Sequence, residues 1–393
     1  MKRTMMLWLG TISASVCCAQ PIVYLDFVTH NEETAQWNLE SFYATNRTRM
    51  LTLAEHFQAN GITWNMQSDW VYLSNVIAQE TPPLTTNTGG KNILRWLYED
   101  RGVEMDPHAH ESQYLYPDVV HLMDSIGLPE SKVMGGTIYN GYNGVNLWMN
   151  LVDGQYGTIF PTAFWQPDYM MGGGTPNHVN DLKYYGFWNP QDTAHYLIHD
   201  PSSHLRHLGV GCSIKISDTT SVAYVVGQVQ QVVTNVQSAA YPADGSYLQS
   251  IFFEQAGLND PAFYSKVMAV ADAVNAIVGT GAAQWKTFKQ AYTLWETDYG
   301  AQVFQWECGQ IATGSAPTSM MSAPQVYPTV FTDRIVVQRG TGEEHYELHD
   351  VVGHLVWAGP HIEDEDLSGL PNGVYLLIVQ DLSARNVFTV VKE

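Results

Sequence analysis

Two short runs place chemically capable residues side by side: Thr29-His30-Asn31-Glu32-Glu33 and Asp106-Pro107-His108-Ala109-His110-Glu111. Each follows an apolar stretch that reads as a buried strand, and parallel α/β sheets carry their reactive groups at strand carboxyl ends. In extended chain, residues i and i+2 face the same way. His30 therefore converges with Glu32, and His108 with His110. His108, His110 and Glu32 supply the two imidazoles and the carboxylate of a tetrahedral Zn²⁺ site, with His30 in reserve as a fourth ligand. The competing reading is an ordinary pair of surface histidines. A divalent ion held there lowers the pKa of its water toward about 7 and polarises a carbonyl. Asp69, Glu111 and Asp106 are the carboxylates placed to move a proton beside it. Asp69 ranks first, because Trp64 and Trp70 around it would desolvate the carboxyl and raise its pKa. Glu111 follows His110 directly and faces the other way in extended chain. Glu254, after Ile251-Phe252-Phe253, is one more strand-end acid.

A third concentration lies between His178 and His207, where His195, His199 and His204 also fall, among Tyr184, Tyr185, Trp188 and Tyr196. The stretch is long for a plain loop, which favours an insertion over a barrel rim. It is expected to line a substrate cleft through His178, Trp188 and His199; a solvated loop with scattered histidines is the alternative. No Gly-x-Ser-x-Gly elbow and no His-Glu-x-x-His occur, which disfavours a serine esterase and a zincin.

These groups need a scaffold, and strand-like and helix-like stretches alternate through residues 20–314. Residues 21–28, 62–66 and 103–105 read as strands, with further candidates at 158–164, 221–229 and 248–253. Residues 40–59, 92–98, 116–126, 261–278 and 285–295 read as helices. Alternation over that length points to an α/β fold, a (β/α) barrel-like body, regular or deformed. A doubly wound open sheet is the runner-up, and it lacks a GxGxxG or P-loop after any strand. Residues 315–324 read as a linker, and short alternating strands between 325 and 393 read as a small β-sandwich.

Hydrophobic residues make up 45 % of the 393, enough for a large core, while only 15 % are charged. The net charge of −21 disfavours nucleic acid and anionic lipid as partners. Twelve Trp and 22 Tyr suit either a large aromatic core or a flat, hydroxyl-rich ligand such as a sugar. Lys2-Arg3, an apolar run to Val16 and Cys17-Cys18-Ala19 read as a signal peptide over residues 1–19, cut before Gln20. Lipidation at Cys17 or Cys18 is the alternative. The apolar run is too short for a membrane span, so no stable membrane insertion is expected. Cys212 and Cys308 would then remain, to pair in an oxidising compartment or to lie buried apart.

Residues 325–393 resemble the type A C-terminal sorting domain of the type IX (Por) secretion system. The resemblance rests on Val326-Tyr327-Pro328, Phe331-Thr332-Asp333, Tyr346 to Asp350 with Val352-Gly353, Asp366 to Leu376, and Val390-Val391-Lys392. Thr329-Val330 depart from the family's usual Asn-Pro. The resemblance implies the type IX machinery as a partner, with the chain secreted or held at the cell surface. Tyr24 to Glu33 together with Gly102 to Gly127 resemble the polysaccharide deacetylase (NodB-homology) superfamily, deformed (β/α) barrels that bind a divalent metal through one acid and two histidines. On that resemblance Glu32 falls on the metal-binding acid and Asn31 on the catalytic base, where an amide cannot take a proton. The family spaces its two histidines four apart, whereas His108 and His110 are two apart. The resemblance implies a secreted metal-dependent hydrolase acting on carbohydrate, a deacetylase first. A glycan-binding protein that has lost catalysis, or a glycoside hydrolase, is the alternative.

Overall fold

The computed structural model describes residues 21–32, 34–109, 114–135, 146–172, 183–311, 325–327, 330–338, 345–351, 353–380 and 385–393. The expected signal peptide and the 315–324 linker lie outside them. At the centre runs β1, Val23–Asn31, buried along its whole length. Parallel neighbours flank it: β2, Trp64–Ser68, on one side, and Tyr247–Glu254 on the other. β3, Glu104–Pro107, continues the sheet beyond β2, and Ile214–Ile216 continues it beyond Tyr247–Glu254. Ala283–Trp285 also pairs with β1.

Burial on both faces explains why β1 is apolar without alternation. Val23, Leu25 and Phe27 pack outward into the core shared with the helices. Tyr24 and Val28 pack inward against Leu248, Phe252, Leu208 and Met171, and this inner core ends on Phe288, Tyr292 and Trp295. Those last three belong to the helix Phe288–Thr297. Helices α1, Glu40–Ala59, α2, Trp70–Gln79, α3, Ile93–Arg101, and α4, Tyr116–Ser125, alternate with β1 to β3.

A second sheet begins with β4, Val133–Met134, and continues through Tyr169–Gly172, Arg206–Val210, Tyr184–Trp188 and Trp306–Glu307. The two sheets meet where His108 bridges Gly135 and the Gly135 N–H donates to the Pro107 carbonyl at 3.0 Å. The barrel-like expectation therefore holds only as a mixed α/β body built on a parallel sheet. Among the described residues no ladder joins the outer strands Ile214–Ile216 and Trp306–Glu307, so no closed barrel forms.

Two expected strands are corrected. Residues 221–229 open the helix Val222–Gln237, because the Ser221 side chain caps the Tyr224 amide and Val225, Val229, Val232 and Val236 form one buried stripe. That stripe packs where the helix meets Pro261–Val278, and tertiary burial overrides the β-preference of a Val-rich run. Residues 158–160 form a turn, since their three amides all donate to the Asp118 carboxylate at 2.8–2.9 Å. Only Phe164–Trp165 remains extended there.

Toward the C-terminus a five-stranded sheet forms, with Arg385–Lys392, Gly373–Gln380 and His345–Asp350 at its middle, while Val336–Gln338 pairs with Gln325–Tyr327 in a separate two-stranded sheet. Tyr346, Leu348, Leu377 and Val390 face a core that Ile335 and Ile362 complete. Among the described residues no helix is long and apolar enough to cross a membrane.

Cys212 and Cys308 are joined, with Cα atoms 5.4 Å apart and a sequence separation of 96 residues. The bond ties the segment after Trp306–Glu307 to the start of the parallel sheet, and it restricts a long loop in the unfolded chain. Replacing both cysteines with serine is expected to lower the unfolding free energy by about 2–5 kcal/mol in chemical denaturation.

Candidate metal centre

The carboxyl ends of β1 and β3 bring His30, Glu32 and His108 together. One potential ligand atom from each lies within 4.8 Å of the others. His30 Nδ1 is 3.0 Å from Glu32 Oε1, and His108 Nε2 is 3.3 Å from Glu32 Oε2. The two imidazole rings lie 4.3 Å apart between centroids. Both histidines are nearly buried, while Glu32 keeps about a quarter of its side chain exposed at 24 %.

The His108 ring is fixed from behind. Its Nδ1 is 2.9 Å from the Gly135 carbonyl, which can only accept, so Nδ1 carries the proton and Nε2 is turned toward Glu32. The same carbonyl accepts from the Tyr116 hydroxyl at 2.9 Å. A side chain at residue 135 would have its Cβ 2.7 Å from the Pro107 carbonyl and 2.8 Å from Gln67 Oε1. His30 stands edge-on to Phe252, with centroids 4.7 Å apart. Two imidazole nitrogens and a carboxylate, one imidazole with its far nitrogen hydrogen-bonded to a carbonyl, fit a zinc-like divalent ion.

Glu254 is the residue paired with His30 across the two strands. Its carboxyl is pushed up first by burial and then by the negative charge of Glu32, against the pull of Lys215. Lys215 Nζ lies 3.1 Å from Glu254 Oε1 and 5.1 Å from the Phe252 ring centre. Nothing in the local sequence around Lys215 or Gly135 singled either out. Both matter through partners distant in the chain.

The other expected site residues fare differently. His110, Glu111 and His178 lie outside the described residues. Asp69 sits at the end of β2, fully buried, and its Oδ1 accepts the Tyr72 amide at 2.7 Å as the N-cap of α2. Asp106 is buried inside the body two residues before His108, bonded to Asn65 and Ser131. Asn31 is buried, with its amide donating to Ser68 Oγ at 2.9 Å.

Trp188 does not line a cleft: it is fully buried, donates to the Tyr196 carbonyl at 2.8 Å and stacks on His207 at 4.1 Å. Its ring completes an aromatic core, so it has no surface to offer a ligand. His199 is half-buried and accepts the Asn189 amide at 3.0 Å, which anchors the loop. His207 is fully buried, and the loss of water pushes its pKa down to about 3.

No family model matches the sequence, and no curated protein matches it. Among solved structures the chain is similar to 4-alpha-glucanotransferase from Thermococcus litoralis, at 12 % identity and a TM-score of 0.42. The match covers 70 % of this chain and 40 % of that enzyme's chain.

Two outcomes follow from this geometry. Gly135→Ala should displace the carbonyl that fixes His108 and weaken Zn²⁺ binding by about 10–100-fold, read by competition with a chromogenic chelator. His207 binds its proton far more weakly in the folded chain than in the unfolded chain, where its pKa is about 6.5. Its stabilising contribution is thus complete above about pH 6.5 and is lost as pH falls toward 3. The midpoint of thermal unfolding should therefore fall more steeply from pH 6.5 to 4 in the native chain than in His207→Gln.

Proposed function

We propose that the chain is an exported, divalent-metal-dependent hydrolase that removes acyl groups from carbohydrate, with Zn²⁺ as the first candidate metal. The observation that carries this reading is the convergence of His30, Glu32 and His108, with the His108 tautomer set by Gly135. A metal ion bound there would supply Lewis acidity at an acyl carbonyl and a more acidic water.

The remaining work falls to the chain. Asn31, which stands at the base position of the resembled family, is tied to Ser68 and has no proton affinity to offer. Glu254 takes that duty: its raised carboxyl, next to the triad, accepts a proton from water as the oxygen attacks the acyl carbon. As the bond to the sugar nitrogen or oxygen breaks, Glu254 returns the proton to the leaving atom. The products are a free acid and a deacylated sugar. Lys215 orients the carboxylate through its 3.1 Å contact. The Cys212–Cys308 bond supports export, since such bonds persist in oxidising compartments. The terminal strands support passage through the type IX machinery to the exterior or the cell surface.

Acetate release from acetylated oligosaccharides, with elemental analysis of protein purified without chelator, tests the reading. His108→Ala should lose the metal and the activity together. Glu254→Gln should keep the metal and lower turnover by roughly two to four orders of magnitude. Full turnover in metal-free protein would sink the proposal. A loss of turnover in Asp69→Asn, with Glu254→Gln unaffected and metal retained, would move the base to Asp69.

A further inference from the structure

A cavity of ≈ 470 Å³ opens on the side of the body where β3 begins. Glu104, Met105 and Asp106 of β3 line it, with Lys132 and Val133 at the start of β4 and Asp168 just before Tyr169–Gly172. His30, Glu32 and His108 are not among its walls. The volume falls within the roughly 300–1,000 Å³ typical of small-molecule sites.

Charge is plentiful in the walls, and it is already answered within the protein. Glu130 pairs with Lys132, and Glu296 with Arg206 at 3.3 Å. Glu104 accepts through both oxygens, Oε1 from the Thr287 hydroxyl and the Lys289 amide, Oε2 from the Phe288 amide. Asp106 accepts from the Ser131 hydroxyl and the Asn65 side-chain amide, each at 2.6 Å. Burial pushes both of these carboxyls up toward the neutral form, which thins their charge further. Asp168 and Lys289 contribute one charge of each sign. An ionic ligand therefore meets no surplus of the opposite charge that would offset the loss of its own hydration.

The remaining walls are rings and apolar side chains. Tyr98 is 40 % exposed and Tyr169 is half-buried, while Met105, Val133 and Leu208 add apolar surface. Tyr292 offers no open ring, because Arg206 lies over it at 5.4 Å and its hydroxyl donates to Glu296. A carboxylate has about four lone-pair sites, so the paired acids at the opening keep acceptor capacity for hydroxyl groups. A wholly apolar ligand would strip water from those acceptors without replacing it. A pyranose matches both surfaces, with aliphatic ring faces for tyrosine and hydroxyls for the carboxylates.

We propose that this cavity is a second binding site, for an uncharged sugar of one or two pyranose rings. Tyr98 supplies the stacking ring, and the exposed Glu130, Asp168 and Thr293 supply the hydrogen-bonding groups. The site does not rest on the proposed hydrolysis, since its walls and those of the triad share no residue.

Ligand-observed NMR titration of the full chain with D-glucose, D-galactose, D-mannose and N-acetyl-D-glucosamine tests the site. At least one of the four should bind saturably. Tyr98→Ala should weaken that binding by about tenfold, and Thr293→Trp, which adds a bulky ring at the opening, should abolish it. Both are exposed helix positions, so either variant decides if the other does not fold. His108→Ala should bind the sugar as the native chain does. D-Glucosamine and D-glucuronate, charged relatives of D-glucose, should bind no more tightly than the best neutral sugar. No binding of any of the four, undiminished binding in either cavity variant, loss of binding in His108→Ala, or about tenfold tighter binding of a charged sugar would each overturn the proposal. Failure of acetate release with sugar binding intact would remove the hydrolase reading and leave this site standing.

Discussion

The geometry of the His30–Glu32–His108 cluster depends on one backbone carbonyl, that of Gly135. It accepts from His108 Nδ1 and from the Tyr116 hydroxyl, both at 2.9 Å, at the point where the two sheets of the body meet. A carbonyl at that position fixes the imidazole tautomer and its plane together, so Nε2 has only one direction to face. The junction is closed to any side chain, because a Cβ would press on both the Pro107 carbonyl and Gln67. Strand pairing, ring orientation and the geometry of the cluster are therefore a single constraint.

The interior of the body departs from a plain apolar core in an ordered way. Inward positions of β1 to β3 carry Asp26, His30, Asn65, Gln67, Asp106 and His108, all buried. Asn65 links Asp106 and Gln67 through bonds of 2.6 and 3.2 Å, so polar groups run from the base of the body toward the triad. Burying them has a cost in solvation, and hydrogen bonds offset it along most of the column. Asp26 and the side-chain carbonyl of Gln67 are the exceptions. The raised carboxyls of Glu254 at one end and Asp26 at the other have the same first cause, the loss of water.

Much of this was legible in the chain. The near-continuous apolar run before Thr29, interrupted only by Asp26, marked a strand buried on both faces, and α1 spans 40–59 as its pattern indicated. The i, i+2 rule placed His30 and Glu32 on one side, and they meet at 3.0 Å. The rule misled where tertiary burial set the outcome. The Val-rich run at 221–229 looked like a strand until its stripe found a facing helix. Trp188 looked like a ligand platform and proved to be core. Local pattern reports what a residue can do, and burial decides which surface it keeps.

The sequence by itself determined the elements that carry the site and the types of ligand atom at two strand ends. It did so because periodicity and alternation are properties of a few consecutive residues. Only the tertiary structure decided that His30, a reserve ligand in the sequence reading, stands directly beside His108 and the carboxylate of Glu32. It also decided that Glu254 pairs in register with His30, and that Cys212 faces Cys308 across 96 positions. Sheet order and strand register set those meetings, and both come from packing between segments far apart in the chain.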